Sequence, residues 1–211
     1  MRTVQGMFPE GCAGRTLLVL IISTMMGAAP ARAAAQVLPP QPRTFEWEYA
    51  TGVWSSVGGG ATPLDYVIVP QIFSLRISPG VRHPLGGGTL SLRPRFSLLL
   101  EPIVRGPETY YIGAAAAGDL EWRNPSGKLA VYFSSGGGAG WMDSKGYEIP
   151  GAQGQDFNLN WLIDSGVRVR ISPAFEWSLG LFFQHVSNDG RDKVNPGLNV
   201  LGPLLRFSRR F

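Results

Sequence analysis

A histidine and a serine stand two residues apart near the end of one alternating segment, Phe183-Gln184-His185-Val186-Ser187-Asn188. Side chains two apart along a β-strand point to the same face of the sheet. Read back by twos from Ser187, that face carries an apolar stripe: His185, Phe183, Leu181, Leu179 and Trp177. A neutral imidazole can take the proton of a serine hydroxyl and so make it a nucleophile. A base and a nucleophile at the end of an apolar stripe indicate chemistry at a membrane surface.

The amino-terminal segment explains why a membrane is expected. Arg2 and Arg15 precede a short apolar run, which is followed by small residues and an Ala31-Arg32-Ala33 cleavage site. These parts predict a secretory signal peptide over residues 1–33. The alternative is a transmembrane anchor, but the run is short for the roughly 20 apolar residues that an anchor needs. Residues 34–43 then read as a proline-rich linker, and residues 44–211 as one folded domain.

Composition excludes several classes of site. Cys12 is the only cysteine and would leave with the signal peptide, so disulfides, thiol catalysis and cysteine metal sites are excluded. The two histidines, His83 and His185, are too few for a metal cluster, and we expect no metal. The formal charge of +4 falls to about +2 when three arginines and one glutamate leave with the signal. A bias this small gives no reason to expect nucleic acid as a partner.

Eight candidate strands follow the linker, separated by clusters of Gly, Pro, Asn and Asp. Their approximate bounds are 44–55, 65–77, 90–100, 110–123, 128–141, 157–171, 175–188 and 198–211. Most are longer than the roughly 9 to 11 residues that a tilted strand needs to cross a bilayer. An even number of alternating strands predicts an all-β fold, an eight-stranded antiparallel transmembrane β-barrel of the outer-membrane type. A secreted sandwich or lipocalin-like barrel is the soluble alternative.

Two details favour the barrel of the bacterial outer membrane. Phe211, Phe207 and Leu205 share a parity, and a final aromatic residue is similar to the terminal strand of outer-membrane proteins. Arg209 departs from that face, but near an interface a charge costs only about 0–1 kcal/mol. The links after strands four and six are short and those after five and seven are long, as in barrels with short periplasmic turns. The link at residues 78–88 is longer than this rule prefers.

The expected topology gathers three polar side chains. With the amino terminus in the periplasm, the seventh strand carries His185 and Ser187 to its extracellular end. Asn199 lies on the eighth strand with the same lipid-facing parity and at roughly the same height. The segments 183–190 and 195–199, FQHVSNDG and NPGLN, resemble the lipid A 3-O-deacylase family. The members of that family are eight-stranded outer-membrane barrels that hydrolyse the ester-linked acyl chain at position 3 of lipid A.

The resemblance implies a role for each of five residues. Ser187 is the nucleophile, His185 is its general base, and Asn199 stands where the family has a glutamate. Asn195 and the backbone N–H of Asp189 form the oxyanion hole. Asparagine can fix the histidine tautomer but cannot balance the imidazolium charge. The implied reaction needs no cofactor, and the implied partner is lipid A or lipopolysaccharide of the outer leaflet.

Several alternatives remain open on the sequence alone. Because Asn199 replaces the acid, the second hypothesis is a catalytically silent barrel with a structural or adhesive role. An acyltransferase is a third, weaker option. Asp189 and Asp192 are nearby carboxylates that could substitute for the acid. Arg191 and Lys193 either attract lipid A phosphates or form a solvated loop face. The sequence leaves the oligomeric state open, and a homo-oligomer is one of the options.

Overall fold

The computed structural model describes residues 44–58, 64–78 and 80–211. The expected signal peptide, 1–33, and linker, 34–43, lie outside the described residues. Within the described ranges, none of the secondary structure is a helix of the length and apolarity that a membrane span requires.

Every regular element of the described chain is a β-strand. The strands are β1 Thr44–Gly52, β2 Trp54–Ser56, β3 Val67–Ile68, β4 Gln71–Ser78, β5 Val81–Leu85, β6 Gly88–Arg105, β7 Tyr110–Arg123, β8 Leu129–Met142, β9 Phe157–Arg170, β10 Phe175–Ser187 and β11 Leu198–Arg210. The sequence predicted the last five of these to within one residue at each end. The first two predicted strands are each divided in two, because the strand conformation is interrupted between β1 and β2 and between β3 and β4.

The strands pair antiparallel into a closed ring. The pairings run from β1 through β4, β6, β7, β8, β9, β10 and β11, and β11 pairs back with β1. The short strands β2 and β3 bridge β11 and β6 beyond the ends of β1 and β4. The ring therefore passes through eight strands, which confirms the expected all-β antiparallel barrel.

The link at residues 78–88 is not the long connection that the sequence indicated. Val81–Leu85 forms β5, which pairs with the start of β6 and continues the ladder of β4. Gly86 and Gly87 make the turn, with φ of 58° and 77°. A two-residue turn with two positive φ angles suits the twist of a hairpin. The prolines and glycines of this segment suggested a loop, although they mark only a short strand and its tight turn.

The connections assign the two ends of the barrel. Those at 86–87, 124–128 and 171–174 are short, and the first residue of β1, Thr44, and the last residue of the barrel, Phe211, lie at the same end. The connections at 143–156 and 188–197 are long and lie at the opposite end, together with the four-residue link at 106–109. Because outer-membrane barrels have short periplasmic turns and longer extracellular loops, the first end is periplasmic and the second is extracellular.

The lumen is filled by two different layers. Toward the extracellular end it holds an apolar core in which Trp54 stacks on Phe182 with ring centroids 4.3 Å apart. Toward the periplasmic end it holds buried arginines and carboxylates. The extracellular half also buries polar side chains, among them Glu101, Gln184 and Asn160, beside the apolar core. Large inward side chains fill that half, since a barrel of eight strands is only wide enough to be packed by side chains.

Asp119 is the most connected carboxylate of the buried ionic layer. It accepts two hydrogen bonds from Arg168, at 2.7 and 3.1 Å, and one each from Arg76 at 3.0 Å and Arg93 at 3.3 Å. All four side chains are almost fully buried. Removal of one member leaves buried charges without a partner.

We expect Asp119→Ala to lower the free energy of unfolding by about 3–5 kcal/mol, because three guanidinium groups lose a buried counter-charge. Urea titration of the refolded barrel, followed by the gel mobility of unheated samples, measures this. Asp65→Ala is the matched control, since the pair Asp65–Arg105 is at 3.5 Å and largely exposed. Equal stability of the two variants would contradict the assignment of Asp119 as a structural residue.

The strand register winds the lipid-facing residues around the barrel. Starting from Trp47 on β1, successive ladder partners are Leu75, Phe96, Ala116, Gly137, Trp161, His185 and Asn199. Trp47 also pairs directly with Arg209 on β11, so one circuit moves from position 209 to position 199, a stagger of ten residues. Ten residues over eight strands correspond to a strand tilt of about 40°. The line therefore climbs from the periplasmic end to the extracellular end.

Candidate active site

The structure places His185, Ser187 and Asn199 together at the extracellular end of the lipid-facing wall. His185 and Ser187 lie among the last three residues of strand β10, and His185 is the direct ladder partner of Asn199 on β11. On the other side of β10, His185 faces Trp161 and Ser187 faces Leu159 of β9. The three polar side chains are half-buried and alternate with fully buried inward residues such as Val186. The backbone register thus brings His185 beside Asn199, with Ser187 two residues farther along β10.

A hydrogen bond joins His185 to Asn199. The Nδ1 atom of His185 lies 2.6 Å from Oδ1 of Asn199. An amide oxygen only accepts, so in this arrangement Nδ1 carries the proton and donates it. The other ring nitrogen, Nε2, then holds a free lone pair. Asn199 thus fixes the tautomer in which His185 has an available basic atom.

Ser187 occupies the next lipid-facing position after His185. Along a strand, side chains two residues apart are neighbours on one face. Among the described residues, the side-chain hydrogen bonds do not include one between Ser187 and His185. In enzymes without substrate, such a contact is often long and tightens only when substrate binds.

Trp161 is a neighbour of the site that sequence reasoning missed. Its ring centroid lies 6.2 Å from that of His185 and 5.2 Å from that of Phe183, so it covers one side of the imidazole. Trp161 is on β9, and its place beside His185 depends on the register between two long strands. The available signal was its lipid-facing parity near the extracellular end of the predicted sixth strand.

Two asparagines fix the loop between β10 and β11. The Asn188 backbone N–H donates to Oδ1 of Asn195 at 3.1 Å, and Nδ2 of Asn188 donates to the Val194 carbonyl at 2.9 Å. Asn188 is buried, whereas Asn195 is exposed. Because the Asn195 oxygen is held by the backbone, its NH₂ group is oriented outward as a donor.

Asp189 has an unusual backbone conformation. Its φ of 57° makes it the non-glycine residue with a left-handed backbone among the described residues. Such a conformation costs roughly 1–2 kcal/mol for a residue with a Cβ, and Asp tolerates it better than most. No hydrogen bond within the described chain uses the backbone N–H of Asp189. Strained backbone of this kind is typical of functional sites.

Asp192 does not act on the histidine but ties two extracellular loops together. Its carboxylate accepts hydrogen bonds from the Tyr147 hydroxyl, at 3.0 Å to each oxygen, and from the Val194 N–H at 2.8 Å. The contact with Asp192 raises the pKa of Tyr147, so the hydroxyl keeps its proton to a higher pH. Since His185 bonds to Asn199, the structure gives no support to Asp189 or Asp192 as a substitute acid.

The loop also presents cations beside the site. Arg191 and Lys193 are exposed, and the Arg191 guanidinium lies 5.6 Å from the centroid of the Phe157 ring. Both side chains are therefore accessible at the extracellular end of the barrel. Within the described ranges, no cluster of three His, Cys, Asp or Glu side chains is arranged to hold a metal ion.

Comparison with solved structures supports the barrel fold. The crystal structure of the outer membrane enzyme PagL is similar to this chain with a TM-score of 0.55 and 14% sequence identity, and the match covers 76% of this chain and 97% of that one. Neisserial surface protein A (NspA) matches with a TM-score of 0.48 and 14% identity over 80% and 95% of the two chains. Ail, the attachment invasion locus protein of Yersinia pestis, matches with a TM-score of 0.38 and 13% identity over 80% and 97%. At these identities the likeness concerns the fold.

Comparison with families is more specific. No curated protein matches this chain. The model of the family described as lipid A 3-O-deacylase (PagL) matches residues 77–208, which is more than half of the chain and includes the whole candidate site. The chain, an outer-membrane β-barrel with His185, Ser187 and Asn199 on its lipid-facing wall, therefore belongs to the lipid A 3-O-deacylase (PagL) family.

Proposed function

We propose that this protein is an outer-membrane esterase that hydrolyses the ester-linked acyl chain at position 3 of lipid A. The observation that carries the proposal is the His185–Asn199 hydrogen bond of 2.6 Å, formed on the lipid-facing wall two residues before Ser187. Family membership supports the choice of lipid A as substrate. A site on the outer wall, at the extracellular end, meets a substrate of the outer leaflet without extracting it from the membrane.

The proposed reaction has two steps. In the first, Nε2 of His185 takes the hydroxyl proton of Ser187 as Oγ attacks the ester carbonyl. The C–O bond to the sugar then breaks, and His185 returns the proton to the leaving sugar oxygen. In the second step, His185 takes a proton from a water molecule as the water oxygen attacks the acyl carbonyl. The bond between the acyl carbon and Oγ of Ser187 then breaks, His185 returns the proton to Oγ, and a 3-hydroxy fatty acid is released. Asn199 holds the Nδ1 proton throughout, and the reaction requires no metal or cofactor.

The oxyanion of each tetrahedral intermediate needs hydrogen-bond donors. We assign this role to the NH₂ group of Asn195 and to the backbone N–H of Asp189. The Asn195 oxygen is already occupied by the Asn188 N–H, which orients the donor end of the same amide. Preorganised donors of this kind are among the largest contributions to catalysis.

Asn195→Asp is expected to lower kcat by about 10²-fold, because one oxyanion donor is lost and a negative charge takes its place. The aspartate still accepts from the Asn188 N–H, so the loop keeps its fold. The release of 3-hydroxy fatty acid from purified lipid A measures the effect. Asn124→Asp, in a periplasmic turn, is the matched control. An Asn195→Asp enzyme with unchanged kcat would remove Asn195 from the oxyanion hole.

Trp161 is expected to stabilise the imidazolium that forms during acylation, because a cation near an indole face is attracted by the ring. The attraction is worth roughly 0.5–1 kcal/mol at exposed sites, so Trp161→Leu should lower kcat about two- to fivefold, and Trp161→Phe less. The kcat for release of 3-hydroxy fatty acid from purified lipid A measures the effect of both variants. An unchanged kcat in Trp161→Leu would reduce Trp161 to a packing residue.

The test of the proposed function is the mass of lipid A from a Gram-negative host that expresses the full chain. We expect a loss of one 3-hydroxyacyl chain from position 3, and the loss should be absent with His185→Leu. His83→Leu is the matched control, because His83 is exposed near the periplasmic end. Unchanged lipid A from a host with correctly folded protein would reject the proposal.

A second candidate function rests on Asn199. If the amide leaves the imidazolium too poorly stabilised, the chain is a silent barrel with a structural or adhesive role. Purified wild-type protein that releases no fatty acid from any of several lipid A species favours this reading. Activity gained on restoring the acid at position 199 would then show that only the charge is missing.

A further inference from the structure

A half-enclosed cavity of about 370 Å³ lies at the periplasmic end of the lumen, far from the candidate active site. Its charged lining consists of five arginines and one carboxylate: Arg82, Arg93, Arg123, Arg170, Arg210 and Glu121. Serine and threonine hydroxyls complete the polar wall. The cavity opens toward the periplasm, between the turns at 86–87 and 124–128.

The ionic layer above this cavity is not electrically balanced. Nine arginines line the polar part of the lumen: Arg76, Arg82, Arg93, Arg95, Arg123, Arg168, Arg170, Arg206 and Arg210. Six carboxylates face them: Glu46, Glu48, Asp119, Glu121, Asp164 and Glu176. The difference of nine and six leaves three positive charges without a matching carboxylate in this layer; Glu101, a further buried carboxylate, takes part in none of the ion pairs found among the described residues.

The unmatched charge lies at the cavity. Arg82 takes part in none of the ion pairs found among the described residues. Arg170 Nε is 3.9 Å from Glu176, and Arg210 Nη2 is 3.6 Å from Glu46, both too long for hydrogen bonds. In addition, Nε of Arg93 and Nε of Arg210 are buried without a hydrogen-bond partner. Deeper arginines such as Arg168 also have a buried Nε without a partner, but their Nη atoms donate to carboxylates, in Arg168 at 2.6–3.1 Å to Asp119 and Glu121.

Physical chemistry makes such a cavity an anion site. A concave site lined by one sign of charge and walled by low-dielectric material concentrates the opposite ion. Guanidinium groups present paired N–H donors that match the oxygens of phosphate groups. The volume corresponds to roughly a dozen water molecules at about 30 Å³ each, enough for one or two phosphate groups with their ordered water.

We propose that this periplasmic cavity binds a phosphate-type oxyanion, held by Arg82, Arg170 and Arg210. The anion would complete the charge balance of the lumen from the periplasmic side. Two sources carry this chemistry, a soluble phosphate or pyrophosphate and the headgroup of an anionic phospholipid of the inner leaflet. The proposal does not depend on the esterase activity, because the cavity and the lipid-facing site lie at opposite ends of the barrel.

The test is calorimetric titration of the folded, full-length barrel with pyrophosphate, in zwitterionic detergent at low ionic strength. We expect saturable binding of one pyrophosphate per barrel. The double variant Arg82→Gln, Arg170→Gln should bind at least about tenfold more weakly, since charge-assisted contacts are lost. Arg105→Gln with Arg191→Gln removes the same charge from the extracellular side and should bind as wild type does. Heat-dependent gel mobility verifies that each variant is folded.

Two results would overturn the proposal: no pyrophosphate binding by the wild-type barrel, or an equal loss in the extracellular control. A second arm identifies the source by repeating the titration in nanodiscs of phosphatidylcholine with and without phosphatidylglycerol. Competition by phosphatidylglycerol, abolished in the double variant, assigns a lipid headgroup, and equal affinity in both discs assigns a soluble phosphate. Deacylation of lipid A should be unchanged in the double variant, which keeps failure of this site separate from failure of the esterase.

Discussion

An Asn199→Glu variant is expected to hydrolyse lipid A up to about 10⁴-fold faster than the wild-type protein, because it restores a negative charge beside the imidazolium. In serine proteases, the worked precedent, exchange of the triad acid for its amide lowers turnover by about 10⁴. The added charge should destabilise the barrel little, since an ionised residue near the membrane interface costs only about 0–1 kcal/mol.

Asn199→Gln is the matched control for this gain. Glutamine has the length of glutamate and accepts the same hydrogen bond, but it carries no charge. We expect no acceleration in Asn199→Gln. A gain shared by both variants would mean that reach, rather than charge, limits the wild-type site. The kcat for release of 3-hydroxy fatty acid, measured with purified barrel in mixed micelles, separates these results.

The loss of kcat caused by Ser187→Ala is expected to depend on whether position 199 carries asparagine or glutamate. In subtilisin, loss of the serine alone costs about 2 × 10⁶ in kcat, and loss of the acid alone costs about 3 × 10⁴. The effects are not additive, because the three groups act as one unit. By that ratio, Ser187→Ala should lower kcat only about 10²-fold in the wild-type chain, but about 10⁶-fold in the Asn199→Glu background.

The four proteins, wild type, each single variant and the double variant, therefore form a cycle with a large coupling. Ser135→Ala is the control, because Ser135 is a lipid-facing serine too, exposed on β8 and far from the candidate site in sequence. An equal effect of Ser187→Ala in both backgrounds would show that Ser187 and the group at position 199 do not belong to one catalytic unit. An undiminished kcat after Ser187→Ala in both backgrounds would exclude Ser187 as the nucleophile.

Alternation along the chain was enough to predict most of the fold. Long segments such as 110–123 and 175–187 contain alternating stretches, Asp119–Arg123 and Phe175–Leu181, and a strand is the structure in which that pattern separates lipid from lumen. Parity and one connecting loop also placed Asn199 beside His185, because the two strands are neighbours in the chain. For that pair, local sequence determines the geometry.

Features that depend on distant strands could not be predicted in this way. Trp161 reaches His185 through the register of β9, which alternation alone does not define. Trp54 and Phe182 meet across the lumen, and only closure of the ring brings them together. The contact between Tyr147 and Asp192 joins two loops whose conformations carry no periodic signal. The strand β5 was hidden because prolines and glycines weaken the strand pattern around it.

Because β11 pairs with both β10 and β1, the barrel contains two classes of contact, which differ in how many residues lie between the two partners in the sequence. His185 and Asn199 are 14 residues apart in sequence, whereas Glu48 and Ser208, at the seam between β1 and β11, are 160 residues apart. Contacts that close short loops form faster than contacts that close long ones. During insertion into the membrane, the β9–β11 meander is therefore expected to assemble its lipid-facing groups before the seam closes. His185 and Asn199 would therefore come together early, and pairing of β1 with β11 would be the slower step that follows.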